Sequence, residues 1–268
     1  MLSEIKLIDE NGNASVNKQN KVDIAIKRFK EFEPKKGYYL AFSGGKDSCV
    51  IKALADMAGV KYKAHYQVTT IDPPDLVYFI REHHKDVEWH HPERTFMQEM
   101  VRRGFPMRQS RWCCEYLKEG VGDGIVVIGI RAAESKSRAK RKMIAACTKD
   151  KNKWYLSPII DWTDGDVWEF IKKNNIPYCK LYDEGWKRIG CLACPMARPE
   201  QRRKELDRYP GFEKTYRIYF DKLYKNKKEA GKTSVDRWND GQEMFEWWMT
   251  GKGYAKEVEG QQCFRFDQ

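Results

Sequence analysis

Two sets of residues in this chain have the types and spacings that chemistry requires. The first is Ser43-Gly44-Gly45-Lys46-Asp47-Ser48. Adjacent glycines let the backbone turn sharply and bring its N–H groups up to an anion, Lys46 adds a full positive charge, and Ser43 and Ser48 add hydroxyls. That is the chemistry of gripping a phosphate chain, although a tight turn with an incidental lysine contains the same residues. The second set is Cys113-Cys114 together with Cys191-Leu192-Ala193-Cys194. Cys-x-x-Cys lets two thiolates reach one metal centre from a tight turn. Taken alone, these cysteines also fit a structural zinc, then a redox dithiol, and last small buried residues.

The flanking elements favour the phosphate reading of the loop. Residues 38–42 form an apolar, aromatic run that reads as a buried strand, and residues 49–58 place Val50, Leu54 and Met57 on one helical face that stops at Gly59. Strand, glycine turn and helix build a cradle whose helix N-terminus adds partial positive charge. Further strands are expected over 62–70, 87–90, 124–130 and 154–162. Helices are expected from Asp72-Pro73-Pro74 through Ile80, over 94–103 up to Gly104, and over 164–174. This alternation predicts an α/β fold: an open, mostly parallel twisted sheet with helices on both faces. A polar lead and an amphipathic helix over 22–29, ended by Pro34 and Gly37, precede it. Charged and aromatic helices follow from Arg198, with stripes at Tyr216, Tyr219, Phe220 and Leu223 and at Phe245, Trp248 and Met249 whose default role is packing. The expected organisation is therefore an N-terminal helical lead (1–36), a nucleotide-binding domain carrying the cysteines (37–197) and a basic helical C-terminal appendage (198–268).

The 268 residues carry 50 Lys and Arg against 39 Asp and Glu, a formal charge of +11 that favours anionic partners: nucleotides, nucleic acid or an acidic protein. Arg202, Arg203, Lys204, Arg208, Arg217, Lys222, Lys225, Lys227 and Lys228 give the C-terminal region a basic face with interleaved aromatics. Such a face can track a phosphate backbone or simply solubilise. No apolar run approaches the roughly 18 residues that span a bilayer, and Met1-Leu2-Ser3-Glu4-Ile5-Lys6 is no signal peptide. The protein is expected in the cytoplasm with no membrane partner, where eight cysteines suggest metal or redox use over a disulfide framework. His83-His84 and His90-His91 are adjacent pairs; neighbours on a strand point to opposite faces, so neither pair is expected to chelate one ion.

The loop lacks the Gly-x-x-x-x-Gly-Lys-Ser/Thr spacing of the Walker motif. It resembles instead the PP-loop of the ATP pyrophosphatase superfamily, whose members cleave ATP between the α and β phosphates. The resemblance implies that residues 43–48 hold pyrophosphate, with Asp47 placing magnesium. Residues 69–82, the segment Gly129-x-Arg131-x-x-Glu134-Ser135-x-x-Arg138, and Ser157-Pro158 up to Trp162 followed by Asp166-Val167-Trp168 are similar to the phosphoadenosine phosphosulfate (PAPS) reductase family. This implies the adenine nucleotide alpha hydrolase-like fold, with Thr69, Thr70 and Asp72 near the ribose or base. Gly129, Arg131, Glu134, Ser135 and Arg138 would then line the phosphate or sulfate, where Arg guanidinium groups offer forked donors. A cysteine pair, a long interval and Cys-x-x-Cys looks like the iron–sulfur signature of the adenosine phosphosulfate (APS) reductases. That implies a [4Fe-4S] cluster on Cys113, Cys114, Cys191 and Cys194, with zinc the alternative. Adjacent thiolates bind different irons of a cube more comfortably than they share one tetrahedral zinc.

The family resemblance implies three functions. The loop is intact, whereas reductases that split no pyrophosphate commonly carry a degenerate one. An intact loop plus a cluster is what sulfurtransferases show, so the first expectation is ATP adenylation by Lys46, Asp47 and Arg131 coupled to iron–sulfur-assisted sulfur transfer. It would involve a sulfur donor and a macromolecular acceptor such as nucleic acid. The second is reduction of APS or PAPS to sulfite, with Cys263 as nucleophile and a thioredoxin-like reductant; the sequence around Cys263 lacks the Glu-Cys-Gly-x-His motif of those reductases. The third is a non-catalytic adaptor that binds a nucleotide without turnover.

Overall fold

The computed structural model describes residues 5–8, 14–17, 20–119, 122–148 and 150–251, so Cys263 lies outside the described residues. In chain order the elements begin with β1 (Ile5–Ile8), β2 (Ala14–Asn17), α1 (Lys21–Glu31), β3 (Tyr38–Ala41), α2 (Lys46–Ala58) and β4 (Tyr62–Gln67). Next come α3 (Pro74–His83), β5 (Glu88–His90), α4 (Phe96–Arg103), α5 (Trp112–Cys114), β6 (Gly124–Val127) and α6 (Lys136–Ala139). The remainder is β7 (Ile144–Ala146), β8 (Lys153–Leu156), α7 (Asp164–Lys173), α8 (Pro199–Arg208), α9 (Pro210–Glu229) and α10 (Gly241–Thr250). No helix among the described residues is long and apolar enough to cross a membrane.

The chain divides into two compact units that interleave along the sequence. The first, residues 1–68, 74–91 and 120–190, holds a six-stranded sheet in the order β5-β4-β3-β6-β8-β7. Every neighbour pair is parallel except β7–β8, so the sheet is mostly parallel as the sequence predicts. β7 is an antiparallel edge strand that the sequence reading does not assign. A separate β1–β2 antiparallel pair stands where only a polar lead is expected. From β3 the chain adds β4 and β5 on one side and β6 on the other, so the order reverses at β3. In open α/β sheets that switch point opens a crevice at the strands' carboxyl ends.

Helix α1 starts at the Asn20 cap, whose side chain accepts from the Asp23 N–H. Lys21 pairs with Asp166 at 2.5 Å and Arg28 reaches Asp161 with two hydrogen bonds, tying α1 to the first turn of α7 and the segment just before it. In α2, Val50 and Leu54 are buried, but Met57 is 46% exposed and Ala58 closes the inward face in its place.

The second unit, residues 69–73, 92–119 and 191–268, is helical and built around one apolar cluster. Tyr216, Phe220, Leu223, Phe245, Trp248 and Met249 are all buried there, so both predicted stripes pack. The cysteine segments share this cluster: Leu117, Ala193 and the flanks of Cys113 and Cys191 lie against it. Residues 92–119 and 191–197, which the sequence reading groups with the nucleotide domain, thus pack with the C-terminal helices. The basic face is partly neutralised. Arg203 and Arg217 interlock with Glu213 and Glu246, Lys228 pairs with Asp236, and Arg202 is buried.

Candidate nucleotide site and cysteine centre

The loop occupies the carboxyl end of β3, with α2 starting at Lys46. Gly44 is held at φ +70°, and a Cβ there would lie 2.7 Å from Leu76 Cδ1 and 2.8 Å from Ile80 Cδ1. Only glycine fits, because both the backbone conformation and the space exclude a side chain. Gly45, the N-cap of α2, carries no such restriction: its φ is −73° and a Cβ would meet nothing closer than 3.5 Å. No side chain caps this helix end. Ser48 Oγ donates to Gly45 O at 2.7 Å and Ser43 Oγ lies 3.3 Å from Ser48 Oγ, so the hydroxyls brace the turn.

Two buried cations meet two carboxylates beside this turn. Lys46 and Arg131 are 5% and 3% exposed. Arg131 Nε donates to Asp47 Oδ1 at 2.6 Å and its Nη2 to Asp164 Oδ1 at 3.1 Å; Lys46 Nζ lies 3.1 Å from the same Asp164 oxygen. Asp164 sits at the start of α7 because Thr163 and Asp166 form a capping box that fixes the helix N-terminus. Tyr182 accepts from the Lys46 N–H at 3.0 Å, and the Lys46 ammonium stands 5.5 Å from its ring. Burial pushes the Tyr182 phenol well above its ordinary range, so it stays a neutral hydroxyl.

The segment after β6 turns one arginine toward the loop. Gly129 permits the approach, since a Cβ there would be 3.1 Å from the Asp47 backbone. Arg131 N–H donates to Glu134 Oε2 at 2.9 Å, Glu134 pairs with Arg138, and Ser135 Oγ accepts from the Arg138 N–H. Glu134, Ser135 and Arg138 therefore satisfy one another and shape the turn, while Arg131 alone of this set meets the loop's own carboxylate.

Thr69, Thr70 and Asp72 belong to the second unit, with the cysteines. Thr70, at φ +66°, accepts from the Phe96 N–H at 2.9 Å and so helps start α4. Thr69 is buried and its hydroxyl hydrogen-bonds Cys191, while Asp72 lies close enough to raise the Cys191 pKa. Burial first, and Asp72 second, push the Cys191 thiol up to about 11 against the opposing pull of Lys118. Lys118 is solvent-accessible as a residue. Desolvation works against its charge, but Cys191, Asp72 and Cys114 hold its ammonium above the ordinary range.

Cys113 and Cys114 form α5, which runs on into a π-helical turn over Glu115–Glu119, a rare geometry frequent at functional sites. The pair shares a hydrogen bond that drives Cys113 up and Cys114 down. Cys113 is raised further by burial and by the nearby charges of Cys114, Cys191 and Cys194. Cys114, Cys191 and Cys194 are thus all near enough to Cys113 to act on its charge. Ala193 bridges the second pair at φ +54°, its N–H donating to buried Glu205 and its carbonyl accepting from Arg202.

Sequence reasoning missed Asp164, Tyr182 and Lys118. The Thr163-x-x-Asp166 box marks Asp164 as a helix start, and Lys118 follows Cys114 by one helical turn. Nothing local marks Tyr182, which comes from 136 residues away.

Residues 37–197 match the family model of the phosphoadenosine phosphosulfate reductase domain. The chain belongs to that family. The PAPS reductase-family segment covers more than half of the 268 residues and includes the loop, Arg131 and all four cysteines. The chain is 31% identical over 186 residues to an uncharacterised protein of Methanocaldococcus jannaschii, covering 64% of this chain and 45% of that one. It is 30% identical over 171 residues to an adenosine 5'-phosphosulfate reductase of Oceanobacillus iheyensis, covering 60% of this chain and 69% of that one. The chain thus spans less than half the length of the Methanocaldococcus relative. Among solved structures, a phosphoadenylyl-sulfate reductase from Candida auris in its phosphate complex aligns with a TM-score of 0.48 at 16% identity. That alignment covers 67% of this chain and 98% of the other.

Proposed function

We propose that this PAPS reductase-family chain binds an adenine nucleotide on its Ser43–Ser48 loop and cleaves ATP between the α and β phosphates to activate an acceptor for sulfur transfer. The observation that supports this reading is the convergence of buried Lys46 and Arg131 beside an α2 N-terminus that no side chain caps. Two buried cations and a helix N-terminus in a strand-end crevice favour a polyanion. In this reading phosphate oxygens replace the Asp47 and Asp164 carboxylates on Lys46 and Arg131, leaving Asp47 to the magnesium ion. The acceptor oxygen attacks the α-phosphorus, the bond to the β-phosphate oxygen breaks, and pyrophosphate leaves with the electron pair. A sulfur nucleophile then displaces AMP from the acceptor. Lys46 and Arg131 stabilise the charge that grows on the transferring phosphoryl group.

Cys113, Cys114, Cys191 and Cys194 are the residues that would hold a [4Fe-4S] cluster, which when bound supplies iron able to take sulfur or electrons. The adjacency of Cys113 and Cys114 favours a cube over zinc, because neighbouring thiolates bind different irons more readily than they share one tetrahedral ion.

A second reading, reduction of APS or PAPS to sulfite, is favoured by the named activity of the Oceanobacillus relative. Product analysis separates the readings. Anaerobically purified full-length protein is incubated with Mg-ATP and either total tRNA or genomic DNA, and separately with APS or PAPS and a dithiol reductant. Pyrophosphate and AMP from ATP support the first reading. Sulfite without pyrophosphate transfers the function to the second, and consumption of neither leaves a nucleotide-binding adaptor.

A further inference from the structure

Away from the loop and the cysteines, the first unit gathers His65, Glu88 and His90 on one face of the sheet. The register of β4 and β5 does this: His65 is opposite Glu88 and Gln67 opposite His90, so Glu88 and His90, two apart on β5, share the face that His65 occupies on β4. Their ligand atoms all lie within 4.8 Å of one another. His65 Nδ1 is 2.8 Å from His90 Nε2, and the Glu88 oxygens are 3.7 Å from His65 and 3.9 Å from His90. Zinc–nitrogen distances of 2.0–2.1 Å put ligand atoms roughly 3.3 Å apart, so shifts of about half an ångström suffice to seat an ion.

We propose that His65, Glu88 and His90 form a binding site for a divalent first-row metal ion, zinc being the best match to two imidazoles and one carboxylate. The His65–His90 hydrogen bond holds one proton between two nitrogens. On metal binding the donating ring moves that proton to its other nitrogen, so both lone pairs face the ion and no net proton is released. His65 is oriented for this by Tyr39, whose ring stacks on it at 3.9 Å and 7°, and Tyr39 is itself fixed by accepting from Gln67 Nε2 at 2.8 Å. Burial is the largest influence on His65 and keeps its imidazole neutral, the form that ligates. Glu88 is 54% exposed at its side chain, so the ion enters from solvent and keeps a water-filled position. Three protein ligands with an open fourth position describe an exchangeable site, and its ion staples the three-residue edge strand β5 to β4.

His91 supplies the internal control. It sits next to His90 on the same strand path but stacks with Trp89 on the other face. The test titrates cobalt(II), then zinc, into full-length protein whose cysteines carry whatever they bind on isolation. Wild type, His90→Gln, Glu88→Gln and His91→Gln are compared, and circular dichroism checks that each is folded. The expected result is one cobalt with ligand-field bands and no added sulfur charge-transfer absorption, displaced by zinc, and a zinc-dependent rise in thermal midpoint. His90→Gln and Glu88→Gln should each weaken binding at least ~10-fold, the scale on which even supporting residues of metal sites act. His91→Gln should bind as wild type. Binding that is equal in all four proteins, or a cobalt spectrum that is sulfur-only, overturns the proposal. If His90→Gln fails to fold, Glu88→Gln alone decides, because Glu88 is exposed and its loss leaves no buried gap.

Discussion

Beside the loop, Lys46 and Arg131 each have a carboxylate within 3.1 Å, whereas Cys191 sits between opposing charges, the Lys118 ammonium and the Asp72 carboxylate, with the Thr69 hydroxyl on its sulfur. The loop's cations are held by partners that an incoming phosphate can replace one for one. The cations near the cysteines, Lys118, Arg111 and Arg202, are spread over several sulfurs. Cys113 and Cys114 answer by sharing a proton, and Cys191 by a raised pKa. Lys46 and Arg131 thus offer donors to an anion, whereas the raised Cys113 and Cys191 thiols hold protons that a bound metal would have to displace.

The largest effect that can break this contrast is on metal content. Cys191→Ser is expected to remove essentially all iron and labile sulfide from anaerobically isolated protein, measured by elemental analysis and the visible spectrum. Iron retained at the wild-type level would mean that Cys191 is no ligand. Next in size is the glycine pair. Gly44→Ala combines a strained positive φ with three contacts under 3.0 Å and should cost about 3 kcal/mol in urea unfolding. Gly45→Ala should leave stability within about 0.5 kcal/mol and reveal only what phosphate contact requires. Equal costs at both positions would contradict the loop geometry.

On the cysteine side, Arg202→Met tests how the Ala193 turn is held. Arg202 donates to the carbonyls of Ala193, Trp248 and Met249 and stands 4.0 Å from the Trp248 ring. Its loss leaves buried acceptors unpaired, a penalty of about 1–3 kcal/mol by the same unfolding assay. The smallest effect is on pH. Glu99, held down from 4.5 to about 2 by Arg102 first, with burial opposing and Arg103 adding, stabilises the second unit fully above about pH 4.5. That contribution should fade as the pH falls toward 2. Glu99→Gln should be less stable than wild type at neutral pH, and the gap between the two should close across that window.

The loop was legible because strand, glycine turn and helix are consecutive, and each carries its own local signal. The parallel sheet was legible for the same reason. The short β7, three residues long just after a basic stretch, carries no period to detect. Asp164 and Tyr182 reach the loop only through tertiary packing. The His65 group was hidden because strand register, not spacing along the chain, brings β4 to β5. The cysteine spacing predicted a quartet, but not that its segments would share a core with Tyr216, Phe220 and Trp248, since that depends on how apolar faces distribute between two cores.

The central claim is that Lys46 grips the nucleotide's phosphates. Calorimetric titration of Mg-ATP into wild type and Lys46→Met tests it most directly. Affinity should fall roughly 100-fold in the variant, the scale of losing one well-placed charged donor, with its unfolding curve unchanged. An ATP affinity within about twofold of wild type would contradict the account.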